Sequence, residues 1–432
     1  MPETGPEAQE NFVLRGDIAY SKDPETLVTY EDAYVVCVDG VSRGVFKTLP
    51  DDYRDLPVED YSGRLILPGF SDLHVHAPQY QYRGNGMDLT LLDWLDQYAF
   101  PEEAKYSDLS YAERAYDLFV EDLYVGATTR ACIFATIDPD ATLGLMDMLE
   151  ETGLITCVGK VNMDRNAPET YVETTEESLA DTQAFLEAVA ESGYLRTFPI
   201  LTPRFTPSCS RELMDGLGRL AKEYGLPVQS HLSENKPEIA WVKELEPDAA
   251  FYGATYDRSG LFGENGKCIM AHCVHSVGEE VTLIKERGVF IAHCPECNLN
   301  ISSGVAPVRR YLEEGLRVGL GSDVAGGSTT SLFAAMRYAI IASKVRAMFI
   351  NENDRPLTFP EVFYLATKGG GAFFGRVGSF EEGYEFDAVV IDDEALPTMR
   401  EEQTLTERVE RLLYLADDRH VTGKYVAGRK LY

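Results

Sequence analysis

The chain has 432 residues, 44% of them hydrophobic, enough to bury a large core and more than one minimal domain needs. Its 71 acidic residues against 39 basic ones give a formal net charge of −32. Such a surface repels nucleic acid and anionic membranes, so neither is an expected partner. The sequence shows no basic stretch followed by an apolar run, and no apolar run of the roughly 18 residues a membrane span needs, so a cytoplasmic location is expected.

Residues 1–10 are polar and read as loose. Residues 12–66 are rich in β-formers and turn residues, for example Tyr34–Val38 followed by Asp39-Gly40. Eight apolar runs then alternate with helical patterns. They are Phe70–His76, Ala127–Phe134, Leu154–Asp164, Phe198–Phe205, Val228–Glu234, Cys268–Cys273, Val289–Pro295 and Arg317–Asp323. Continuous apolar strands spaced by helices imply a parallel sheet covered on both faces. Thr174-x-x-Glu177 is a capping box for a helix that stops near Gly193, and Ser210 to Tyr224 is a second helix stopped by Gly225. Gly278–Arg287 and Ala306–Glu314 are shorter versions, and Leu332–Ile350 reads as a buried helix.

Eight strands with helical returns fit a TIM (β/α)8 barrel. A doubly wound sheet is the alternative, but no Gly-x-Gly-x-x-Gly turn follows an early strand. Residues 383–432 return to strands, Asp387–Ile391 and Val421–Val426, the latter with a turn at Gly423. The expected organisation is an α/β chain in which 69–375 form the barrel. Residues 1–68 and 376–432 together form a small composite β domain. The eight cysteines lie mostly in apolar runs and read as reduced core thiols, and the single Cys294-x-x-Cys297 lacks the second pair a structural zinc site needs.

His74 and His76 lie two apart on the first strand, so both face one side. His231 and His272 fall near the ends of the fifth and sixth strands, and Asp323 closes the eighth. In a TIM barrel these ends meet at one face, where active sites of the fold sit. Three imidazoles and a carboxylate suit Zn²⁺ or Fe²⁺ with one position left for water. His275, His293 and His420 read as ordinary hydrogen-bonded residues. Glu234 follows His231 by three residues, where a carboxyl group can serve as a proton shuttle.

Leu67-Pro68-Gly69-Phe70-Ser71-Asp72-Leu73-His74-Val75-His76 is similar to the opening of amidohydrolase-superfamily barrels. His76-Ala77-Pro78-Gln79, Leu92-Asp93-Trp94-Leu95 and Phe100-Pro101-Glu102-Glu103 resemble the guanine deaminase family within it. So do the run Val158 to Asp164, Thr202-Pro203-Arg204-Phe205, and Gln229 to Asn235. Ala292-His293-Cys294-Pro295 and Gly321 to Gly327 extend the likeness, which covers about residues 65–392.

The resemblance implies metal ligands His74, His76, His231 and Asp323, with His272 beside the attacking hydroxide. It implies one Zn²⁺ per subunit, with Fe²⁺ as the alternative. The fourth strand ends in Arg204-Phe205 where two-metal relatives carry a carboxylated lysine, and Lys160 on the third strand is a poor stand-in. The implied catalytic groups are Glu234, Asp323 and His272. The implied substrate contacts are Gln79, Arg204, Phe205, His231, Glu234 and Asp323. Arg204 would donate to the purine C6 oxygen, Gln79 would read a mixed ring edge, and Phe205 would pack on the ring, with ordinary core packing as its alternative. The implied activity is deamination of guanine to xanthine and ammonia by a metal-activated hydroxide, in a homodimer. The alternatives are a deaminase or chlorohydrolase-like relative acting on another aminated heterocycle, and a catalytically dead scaffold. Two departures stand out: Cys297 precedes Asn298 where a small polar residue is expected, and Cys273 follows His272 where glycine is expected.

Overall fold

The computed structural model describes residues 11–264, 266–400 and 402–432, so the loose opening segment expected at 1–10 lies outside the described residues. Eight parallel strands form one sheet: Phe70–His76, Thr128–Phe134, Ile155–Gly159, Thr197–Pro199, Val228–Leu232, Cys268–His272, Phe290–His293 and Arg317–Leu320. The eighth strand pairs with the first through Leu320 and Asp72. A bridge from Leu201 to Val228 joins the fourth to the fifth. The sheet is therefore closed into a barrel, and the doubly wound alternative falls.

Phe70–His76 keeps its full length, and the other strands are shorter than their runs, most of them because the chain turns away at the barrel mouth before the run ends. The run Leu154–Asp164 breaks at Lys160 into Ile155–Gly159 and Val161–Asn162, and the latter pairs with Thr202–Pro203. The eighth strand stops at Leu320, three residues before Asp323. The capping box at Thr174 opens the helix Thr175–Ser192, and Gly193 ends it in the left-handed region. Gly225 does the same for Arg211–Tyr224. The helix Leu332–Phe349 is buried only over its first two thirds, and Phe349 is 79% exposed.

The two ends of the chain build one seven-stranded sheet. Its order is Arg429–Lys430, Val421–Val426, Ala388–Ile391, Val58–Pro68, Phe12–Ser21, Leu27–Val38, Val41–Phe46. It has its own small core, in which Phe12, Leu14, Ile66, Phe386, Val390 and Tyr425 come from both ends. Gly423 is not a turn: it lies inside Val421–Val426 opposite Val390, and the chain reverses at Ala427-Gly428, both at positive φ. The strand Val58–Pro68 leads through Gly69 directly into the first barrel strand, which holds the β domain beside the barrel.

Candidate active site

Strand alternation brings the histidines together. His74 and His76 point the same way from the first strand, and their Nε2 atoms are 3.2 Å apart. His76 Nε2 is also 3.2 Å from His231 Nε2. Asp323 Oδ1 lies 3.2 Å from His74 Nε2 and 3.7 Å from His76 Nε2. These four predicted ligands therefore meet at one point inside the mouth.

Their spacing tests whether a metal ion fits. Zinc bonds nitrogen at about 2.0 Å in a tetrahedron, which sets ligand atoms roughly 3.3 Å apart. His231 Nδ1 is 2.6 Å from the Arg204 carbonyl, so it carries the proton and leaves the Nε2 lone pair facing the cluster. Burial, reinforced by His74 and His231, holds His76 well below the usual imidazole range, and burial with His74 and His272 does the same for His231. Imidazole nitrogens and a carboxylate oxygen converging at 3.2–3.7 Å fit a divalent cation.

Two carboxyl groups on this face are driven apart. Burial raises the Asp323 carboxyl, but His74, His272 and His76 outweigh it and hold the group well below the ordinary range. Its Oδ2 is buried without a hydrogen-bond partner among the described residues. Burial and the Asp323 charge push Glu234 up to about 8, against the Ser303 hydroxyl that donates to its Oε1 at 2.8 Å. His272 Nε2 sits between them, 3.3 Å from Glu234 Oε2 and 3.6 Å from Asp323 Oδ2. His272 Nδ1 is 2.9 Å from Asn298 Oδ1, an acceptor that puts the imidazole proton on Nδ1.

The backbone at the mouth is strained to reach these positions. Ser233, His272, Cys273 and Asp323 have φ of 48°, 73°, 46° and 51°. Each non-glycine residue there costs on the order of 1–3 kcal/mol. This accounts for the glycine expected at 273: the position is left-handed, and Cys273 occupies it nonetheless. Asp72 ties the strained loop down, since its Oδ1 accepts from the backbone N–H groups of both His74 and Ser322 at 3.1 Å. Glu238 does the same for the acid, accepting from the N–H groups of Glu234 and Asn235 at 3.0 Å.

A cavity opens onto this group, lined by His76, Gln79, Trp94, Arg204, Phe205, Glu234, His272, Cys297 and Asp323. Every predicted site residue except His74 lines it, and His74 is buried behind. Phe205 is buried edge-on to both His231 and Trp241. Lys160 is spent on Glu173 at 2.7 Å. His275 bonds the Ser303 carbonyl through Nε2 and His420 bonds the Asp417 backbone, as their reading as hydrogen-bonded residues expects, whereas His293 is buried with its Nδ1 unpartnered among the described residues. Sequence reasoning assigned no part to Asn298, Asp72, Trp94 or Glu103. Asp72, Trp94 and Glu103 fall within the quoted family runs and Asn298 lies just past one, which was the available signal.

The chain belongs to the amidohydrolase family, whose model matches residues 65–431. Guanine deaminases are among the proteins it is similar to. The one from Dictyostelium discoideum is 42% identical over 87% of this chain and 84% of its own length. The one from Homo sapiens is 40% identical over 88% and 85%. A crystal structure of guanine deaminase from C. acetobutylicum, with bound guanine in the active site, superposes with a TM-score of 0.94 at 47% identity, covering 98% of this chain and 100% of that one.

Proposed function

We infer that this protein hydrolyses guanine to xanthine and ammonia. The observation that carries this reading is the shared cavity, where a carboxyl group poised to donate a proton and one poised to accept it face the same side as Arg204 and Gln79. The guanine-bound relative supports the choice of substrate.

We propose His74, His76, His231 and Asp323 as holders of one Zn²⁺, with Fe²⁺ equally suited to the donor set. When bound, such an ion makes a water acidic enough to attack near neutral pH. Asp323 then takes a proton from the attacking water, and His272 Nε2 accepts a hydrogen bond that holds this water in line. Glu234 gives its proton to ring nitrogen N3, which makes C2 electrophilic. The water oxygen bonds to C2. Asp323 passes its proton to the exocyclic amine, the C2–N bond breaks, and ammonia leaves while Glu234 recovers a proton from the new hydroxyl. Arg204 donates to the C6 oxygen, Gln79 reads the adjoining edge, and Phe205 covers the ring.

The division of the chain into 1–68, 69–375 and 376–432 belongs to the same proposal. So does a cytoplasmic homodimer. Eight free buried cysteines support a reducing compartment, and the exposed apolar end Met348, Phe349 and Ile350 supports a subunit contact. No helix among the described residues is long and apolar enough to cross a membrane.

The test is to incubate purified protein with guanine and follow ultraviolet absorbance and ammonia. Equal amounts of xanthine and ammonia are expected. Turnover of other aminated heterocycles with guanine left intact would refute the reading.

A further inference from the structure

Glu103 takes no part in the chemistry above, yet it touches both groups assigned to read the purine. It ends the short helix Phe100–Glu103 that follows the first barrel strand, and it is 1% exposed. Its Oε1 accepts from Arg204 Nη2 at 2.9 Å and from Gln79 Nε2 at 2.8 Å. Its Oε2 accepts from Arg204 Nη1 at 2.5 Å and from the Tyr171 hydroxyl at 2.7 Å. Gln79 Oε1 accepts from the Ala325 N–H at 3.1 Å, so an amide flip would lose both of its bonds. One carboxylate thus fixes the orientation of both readers.

It also sets their charge. A buried guanidinium without a counter-ion attracts anions and is costly to desolvate. Paired with Glu103 through two nitrogens, Arg204 presents no net charge, yet a guanidinium has five N–H donors and only two are used on this carboxylate. Xanthine ionises near neutral pH, whereas guanine and hypoxanthine stay neutral there. A charge-cancelled reader binds a neutral ring through its C6 oxygen and gives the ionised product no extra attraction.

We propose that Glu103 is the specificity-determining positioning residue of this cavity. It aligns Arg204 and Gln79 and cancels the guanidinium charge, so the site favours a neutral aminopurine over the anionic oxopurine the reaction releases. The proposal rests on the guanine reading above.

The experiment uses full-length, metal-loaded protein as wild type, Glu103→Gln and Glu103→Asp. Calorimetry measures xanthine and hypoxanthine binding at mildly alkaline pH, beside kcat and KM for guanine. In Glu103→Gln, xanthine should gain on hypoxanthine by about tenfold, as expected for an unmasked charge a few ångströms from the ring. KM for guanine should rise more than kcat falls. Glu103→Asp keeps the charge, so it should raise KM and leave the xanthine-to-hypoxanthine ratio as in wild type. An unchanged ratio in Glu103→Gln, or an equal shift in Glu103→Asp, would overturn the proposal. Should Glu103→Gln fail to fold, Arg204→Gln gives the reverse test: it leaves the carboxylate bare and should weaken xanthine relative to hypoxanthine, and no change there also overturns it. Wild type that fails to deaminate guanine sinks both readings, whereas active wild type with an unmoved ratio sinks only this one.

Discussion

Arg130 and Arg204 are both buried, and each grips a buried carboxylate through two nitrogens. Arg130 lies early in the second barrel strand and bonds Asp387 at 2.7 and 3.0 Å, and Glu385 at 2.6 Å. Asp387 also accepts from the Ala427 N–H at 2.8 Å. This pair ties the C-terminal strands to the base of the barrel. Arg204 lies just past the fourth strand, at the opposite end, and lines the cavity with Glu103 bonded to it. Around it, Asp323 Oδ2 and the Nδ1 atoms of His74 and His76 have no hydrogen-bond partner among the described residues, and four nearby residues sit at positive φ. The same ion-pair chemistry is closed and satisfied at the base, where it joins two domains. At the mouth Arg204 lines a cavity, with the unpartnered atoms of Asp323, His74 and His76 nearby. Polar burial alone does not mark a site.

The largest expected effect lies at the mouth. Glu234→Gln should lower kcat by about 10²- to 10⁴-fold, since it removes an acid–base group, while metal content and melting stay as in wild type. Steady-state rates with metal analysis check this. At the base, Asp387→Ala leaves Arg130 with Glu385 alone and should cost about 3–5 kcal/mol of stability in denaturant unfolding, with KM for guanine unchanged. A moved KM there would break the contrast between the two ends. Arg204→Ala should raise KM by roughly 10- to 100-fold, the worth of a hydrogen bond to a charged group, and also lower the melting point because Glu103 is left unpaired. A melting loss with normal KM in the surviving enzyme would make Arg204 structural, like Arg130. The smallest effect is in pH. Glu234 acts in its protonated form and is pushed up to about 8, so activity should be level below that pH and fall about tenfold per unit above it. Glu234→Gln should lack this alkaline limb in its residual rate.

The ligand cluster was legible in the sequence because strand periodicity fixes where His74 and His76 point, and because strand ends of a barrel converge. Asp323 was legible as a candidate ligand, but its place past the strand end was not, since strand pairing stops at Leu320 inside a stretch that reads as one strand. The role of Glu103 was not legible beyond its place in a family run: its partners Gln79 and Arg204 lie 24 and 101 residues away, and a four-residue helix has no periodicity to read. Hydrophobicity alone could not separate the buried start of Leu332–Phe349 from its exposed end. Gly423 misled because glycine usually marks a turn, while here a strand passes closely over Val390.

The account depends most on the three imidazoles and Asp323 holding a single ion. Zinc titrated into chelator-treated protein, followed by calorimetry and by recovered guanine turnover, tests this most directly. Both signals should saturate together at one ion per chain in wild type, and neither should appear in His74→Ala. Full turnover without added ion, or equal zinc binding by His74→Ala, would contradict it.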